Sequence, residues 1–254
     1  MRRTADHDRE LAWLLNQPGA DPVTGCDLAG WDESVWVLHA MYEDPRVGDA
    51  GTYDDLRMLR VATDERDMIG AISLDSVATA TGIPLGMVSA PGPGWSRLAW
   101  VDYLSRSGRS LGDSHRVPPC FRWFPTSSFP LSIQPPPEGS LDLETFGALI
   151  DVVASLEPRG AETQCYAFMA DLPLGRDHAD PRRLWRGALG ALPTLVDPHA
   201  EGQQFTPTNW WPTDRSWFVM TDYDLMATKI SGSGRLIESI RNDTFLETVA
   251  WAES

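Results

Sequence analysis

Lysine is almost missing from this sequence: a single residue, Lys229, stands against twenty arginines. The two side chains carry the same charge, so a bias this strong reflects codon usage in a GC-rich genome rather than chemistry. Cysteine is scarce as well. Cys26, Cys120 and Cys165 are widely spaced, which excludes a CxxC pair and a disulfide framework and fits a reducing compartment. No run of about 18 apolar residues occurs, so no membrane-spanning helix is expected. The opening Met1–Asp8 is too polar for a secretory signal, and the apolar cluster Leu11–Leu15 is too short for a signal core. A cytoplasmic location follows as the expectation. The histidines (His7, His39, His115, His178, His199) show no HExxH spacing, so neither a metal site nor a cofactor is expected. A GxSxG elbow and a GxGxxG turn after a strand are absent too.

What is abundant is acid. The formal net charge is −15, and it is unevenly placed. Residues 1–75 carry a net −9, residues 76–133 a net +3, and residues 134–254 again −9. Nucleic acid is an unfavourable partner for such a chain, because phosphate neutralisation drives that binding. A basic protein is electrostatically favoured, with simple solubility as the bland alternative. The positive middle raises a narrower question. Arg97, Arg106, Arg109, Arg116 and Arg122 either dock against the acidic halves or offer an anion a place to settle.

Hydropathy and turn signals outline the architecture. A helix is expected near residues 6–16, with Leu11, Leu14 and Leu15 on one face. Residues 31–42 are densely apolar and read as strand or helix. Thr52 caps a helix over 53–62, and shorter helices are expected at 74–81 and 97–105. The segment 91–130 is rich in Pro and Gly. Three consecutive prolines make 134–140 the expected linker between a region 1–133 and a domain 141–254. In the second half, Phe146, Leu149, Ile150 and Val153 form the stripe of a helix over 141–156, with Ser140 as its cap. Residues 163–172 read as a strand. Asp180-Pro181 starts a helix through about 192. Residues 217–221 and 225–230 read as strands, and 234–241 as a helix. Helices and strands without regular alternation give α+β: a mixed or antiparallel sheet with flanking helices, in one domain or two small subdomains.

Chemistry is most suggestive over residues 209–233. Asp222 and Asp224 are two apart, which on a strand puts both carboxylates on one face; a charged hairpin turn is the plain alternative. The string TDYDLMATK resembles the Asp-x-Asp start of haloacid-dehalogenase phosphatases. Only thirty residues follow Asp224, too few for the parallel sheet that family builds after its motif. Lys229 could serve as base or nucleophile, since burial can lower a lysine pKa. Arg215 and Arg235 could hold an anion, Arg235 at a helix start. Trp211 belongs to a set of eleven tryptophans and is a candidate binding anchor or core residue.

The segments GWDESVWVLHAMYE, ATGIPLG and WWPTDRSWFVMTDYDLMATKISGS resemble those of actinobacterial hypothetical proteins without assigned activity. The resemblance implies no function and no site residue. The expected function is a non-enzymatic interaction module of immunity or antitoxin type. It would bind a basic protein through Trp211, Asp222, Asp224 and Arg235. The alternative is a hydrolase or transferase acting on an anionic substrate, with Asp222, Asp224, Lys229 and Arg215 as catalytic candidates. A third possibility is a structural component of a larger assembly.

Overall fold

The structure is a computed structural model that describes residues 1–3, 7–16, 26–63, 68–69, 72–73, 79–88, 90–111, 117–125, 127–170, 184–196 and 204–251. Its first half comprises β1 (Arg2–Arg3), α1 (His7–Leu15), β2 (Glu33–Leu38), β3 (Met41–Glu43), α2 (Tyr53–Thr63), β4 (Met68–Ile69), β5 (Ile72–Ser73), β6 (Ser96–Leu98), α3 (Trp100–Ser105) and β7 (Ile133–Gln134). The second half comprises α4 (Leu143–Leu156), β8 (Gln164–Phe168), β9 (Leu184–Ala188), β10 (Asn209–Pro212), β11 (Phe218–Thr221), β12 (Ala227–Gly232), α5 (Gly234–Arg241) and β13 (Thr248–Val249).

An eight-stranded sheet in the order β1-β9-β8-β10-β11-β12-β2-β13 is antiparallel throughout. The fold is α+β, as expected. The period-2 alternation of its strands divides the interior. Val35, Val37, Trp210, Val219 and Ile230 face the apolar stripes of α4 and α5. Trp36, Tyr166, Trp211, Phe218 and Met220 face the other way, onto α1, α3 and the small sheet β6-β3-β7. Strands on both sides of residues 134–140 build the large sheet. Pro135, Pro136 and Pro137 are buried, and the Pro137 carbonyl accepts a hydrogen bond from the His39 ring at 2.7 Å.

Residues 31–42, read as strand or helix, carry β2 and most of β3. Other expectations are corrected. Residues 184–188, expected within a helix, pair with β8 from Gln164↔Ala188 to Phe168↔Leu184; the Asp180-Pro181 start lies outside the described residues, as do residues 74–78 of the expected 74–81 helix. Residues 97–105 divide into β6 and α3. The cap of α4 is Asp142, which accepts from the Thr145 N–H at 2.9 Å and the Thr145 hydroxyl at 2.6 Å. Ser140 is occupied elsewhere: its hydroxyl donates to the Leu141 carbonyl and accepts from the Thr206 N–H. β10 was not expected at all.

Four of the five middle arginines are described, and each is engaged. Arg106 forms a bidentate pair with Glu43 at 2.6 and 2.7 Å. Arg109 donates to the Trp123 carbonyl at 3.3 Å. Arg97 lies 4.5 Å from the Phe245 ring centroid, and Arg122 lies 5.7 Å from that of Phe121. Arg116 lies outside the described residues. Among the described residues, no helix is long and apolar enough to cross a membrane.

Candidate functional site

The site is built on the sheet face that carries the tryptophans. Residues 26–34 cross that face as a strap tied down at both ends. At one end the fully buried Asn209 grips Cys26, accepting from its N–H at 3.1 Å and donating to its carbonyl at 2.9 Å. At the other end Trp31 stacks on Phe218 at 5.3 Å, and its indole N–H donates to the Arg215 carbonyl at 3.0 Å. Between these anchors Asp27 reaches down to the sheet. Its two oxygens accept from Lys229 Nζ at 2.8 and 2.9 Å.

A cleft of about 250 Å³ opens between strap and sheet. Trp31, Asp32 and Glu33 wall it on one side, and Ser34, Lys229 and Ser231 on the other. The β2–β12 register explains the second wall. Lys229 lies opposite Trp36, and Ser231 lies opposite Ser34, so their side chains share one face. Lys229 Nζ also sits 5.8 Å from the Trp36 ring centroid. Every cation here is already held: Lys229 by Asp27, and Arg241 by Glu33 at 3.3 Å. Asp32 is exposed and has no ion-pair partner among the described residues. A second, larger cleft of about 520 Å³ includes Glu43, Asp49, Thr52 and Arg106. Its one cation, Arg106, is likewise taken by Glu43, whose carboxyl it holds below the usual range through their hydrogen bonds.

The structure does not gather the catalytic candidates at one point. Asp222 and Asp224 lie in the β11–β12 turn, where the Asp222 carboxylate accepts from the Asp224 N–H at 2.9 Å. This is an Asx turn, which explains the spacing without a ligand. Arg215 stands at the opposite end of β11 and donates to Glu10 at 3.0 Å. With φ of 59° it is the one described non-glycine residue in the left-handed region. The Trp13 ring, 4.2 Å from its guanidinium, and the bonded Trp31 help to hold it there. Trp211 is fully buried, packed on Tyr166 and Phe218, so it is a core residue rather than a surface anchor. Arg235 is exposed on the first turn of α5, whose cap is Ser233. Lys229 alone among the candidates lines the cleft.

Two groups titrate unusually, the buried His39 and the half-buried Glu138. His39 is enclosed completely, and burial lowers its pKa to about 4 despite the hydrogen bond to Pro137 and the nearby Asp142. Its Nδ1–H donates to the Pro137 carbonyl. Nε2 then accepts from the Thr228 hydroxyl at 3.1 Å, which in turn pairs with Thr221 at 2.8 Å. This is a satisfied neutral histidine within the core. Glu138 goes the other way: burial, then the neighbouring Asp224 carboxylate, raise its pKa to about 7. Among the described residues no group of His, Cys, Asp and Glu is placed to hold a metal ion.

Asp27, Trp31, Asp32, Glu33 and Glu138 were not singled out by sequence reasoning. The acids flanking Trp31 were the available signal, but only the fold sets them on β12. No protein-family model, curated protein or solved structure matches this chain.

Proposed function

We propose that this chain is a non-enzymatic interaction module for a basic protein partner, in the manner of an immunity or antitoxin protein. In this reading the 26–34 cleft receives a lysine or arginine side chain of that partner. The observation that carries it is the state of the charges at the cleft. Lys229 and Arg241 are neutralised by carboxylates of the chain itself, while Asp32 at the rim has no ion-pair partner among the described residues. Asp32 would attract a cation and present little to an anion. The net charge of −15 would steer a basic partner toward the surface from a distance. The dispersal of Arg215, Lys229 and the Asp222–Asp224 turn takes support from the hydrolase reading.

A direct test follows the Trp31 indole N–H by NMR during titration with N-acetyl-arginine amide, N-acetyl-glutamate amide and sodium chloride at matched ionic strength. The expected result is a saturable shift with the arginine derivative only, weakened several-fold in Asp32→Asn. Equal shifts for all three titrants would remove the reading. Calorimetry against purified basic proteins encoded beside its gene extends the test. Association should weaken with salt and weaken further in Asp32→Lys.

A further inference from the structure

Arg215 shows how this chain holds a guanidinium. The group lies 4.2 Å from the Trp13 ring centroid and donates to the Glu10 carboxylate at 3.0 Å. An aromatic face and a carboxylate thus share one planar cation. Trp31 and Asp32 bring the same two groups to the wall of the cleft beneath the strap. Both tryptophans rest on Phe218, Trp13 edge-on at 6.1 Å and Trp31 stacked at 5.3 Å with 18° between the planes.

Trp31 is fixed before anything binds. One face of its ring lies on Phe218, and its one polar atom, the indole N–H, is spent on the Arg215 carbonyl at 3.0 Å. What it retains is the second π face, on a half-buried ring that lines the cleft. A pinned ring loses little entropy when a ligand stacks on it. Beside it, Asp32 is exposed and has no ion-pair partner among the described residues. On the opposite wall the Ser34 and Ser231 hydroxyls share the sheet face and make no hydrogen bond among the described residues. They can accept the N–H groups that a carboxylate leaves over. The charge balance has the sign a cation needs: Asp27, Asp32 and Glu33 stand against Lys229 and Arg241, three carboxylates to two cations. At about 250 Å³ the cleft lies below the roughly 300–1,000 Å³ of small-molecule pockets and suits a single side chain.

We propose that the cleft is an arginine socket. Its occupant is an arginine side chain of the basic partner, with the guanidinium stacked on the open face of Trp31 and bonded to the Asp32 carboxylate. This rests on the basic-partner reading above and narrows it. Trp31 becomes the residue that sets specificity. A guanidinium is flat, weakly hydrated and forked, so it stacks and pairs at once. A lysine ammonium is a compact, strongly hydrated point charge that gains little from the ring.

NMR titrations of the full chain with N-acetyl-arginine amide and N-acetyl-lysine amide at equal ionic strength test it. The Ser34 and Ser231 amide shifts report occupancy, and the ligand's side-chain methylene protons report stacking. The arginine derivative should bind about fivefold tighter, with its δ-methylene protons moved upfield by the Trp31 ring current. In Trp31→Leu the upfield shift and the preference should both vanish, while Asp32→Asn should weaken both ligands several-fold. If Trp31→Leu folds poorly, the wild-type affinity ratio and ring-current shift decide. Equal affinity for the two ligands, or arginine binding without the upfield shift, would overturn the socket and leave the basic-partner reading standing. Binding of neither would overturn both.

Discussion

Asn209 shows how much one polar side chain can position. It points from β10 onto the tryptophan face and bonds both backbone groups of Cys26, which fixes where the strap begins. Replacing it with alanine removes both of these bonds from the buried Cys26, at a cost of about 2–3 kcal/mol. Asn209→Ala should lower the urea midpoint accordingly. It should also make Lys229 react faster with an acylating reagent, because Asp27 is no longer held over it; an unchanged rate would detach the strap from Asn209. At this scale the sequence was partly legible. Lys229 stood out by rarity, yet its partner Asp27 lies 202 positions away and no local signal connects them. Two acids two apart fit both a strand face and an Asx turn, and only the backbone distinguishes them. A tryptophan is visible as a large apolar residue, but whether it faces core or solvent depends on strand register.

Elements were legible where the signal is local. The stripe of α4 appears as read, and Phe146, Leu149, Ile150 and Val153 are all buried. Thr52 and Asp55 cap α2 reciprocally, with the Thr52 N–H donating to the Asp55 carboxylate and the Asp55 N–H to the Thr52 hydroxyl. The cap of α4 was misplaced by two residues because Ser and Asp are equally apt there, and Thr206 claims the serine. Asp142→Ala should therefore destabilise the protein by about 1–2 kcal/mol, measured by urea unfolding, whereas a cap of no consequence would leave the midpoint in place. β9 and β10 escaped for a different reason. Asn209–Pro212 is buried on both faces, so no alternation marks it. At β9 a distant strand, β8, overrides the local promise of Asp180-Pro181.

At the scale of the whole molecule, the buried His39 and the half-buried Glu138 bind protons with opposite effects on stability. His39 has a folded pKa of about 4, below its ordinary 6.5, so its contribution to stability is complete above pH 6.5 and is lost as pH falls toward 4. Glu138 has a folded pKa of about 7, above its ordinary 4.5, so its contribution is complete below pH 4.5 and is lost as pH rises toward 7. Over the shared window the slopes oppose. Thermal midpoints of His39→Gln should therefore fall with rising pH more steeply than wild type, and those of Glu138→Gln should rise. Parallel profiles for all three proteins would contradict these opposite effects. The two edges of the large sheet carry a last consequence. β1 and β13 are each two residues long. An intruding strand thus finds few free backbone groups to zip against, and stacking of copies edge to edge has little to grip. For the proposed interaction module, recognition would fall to side chains, and its specificity could change by substitution along the strap without disturbing the sheet.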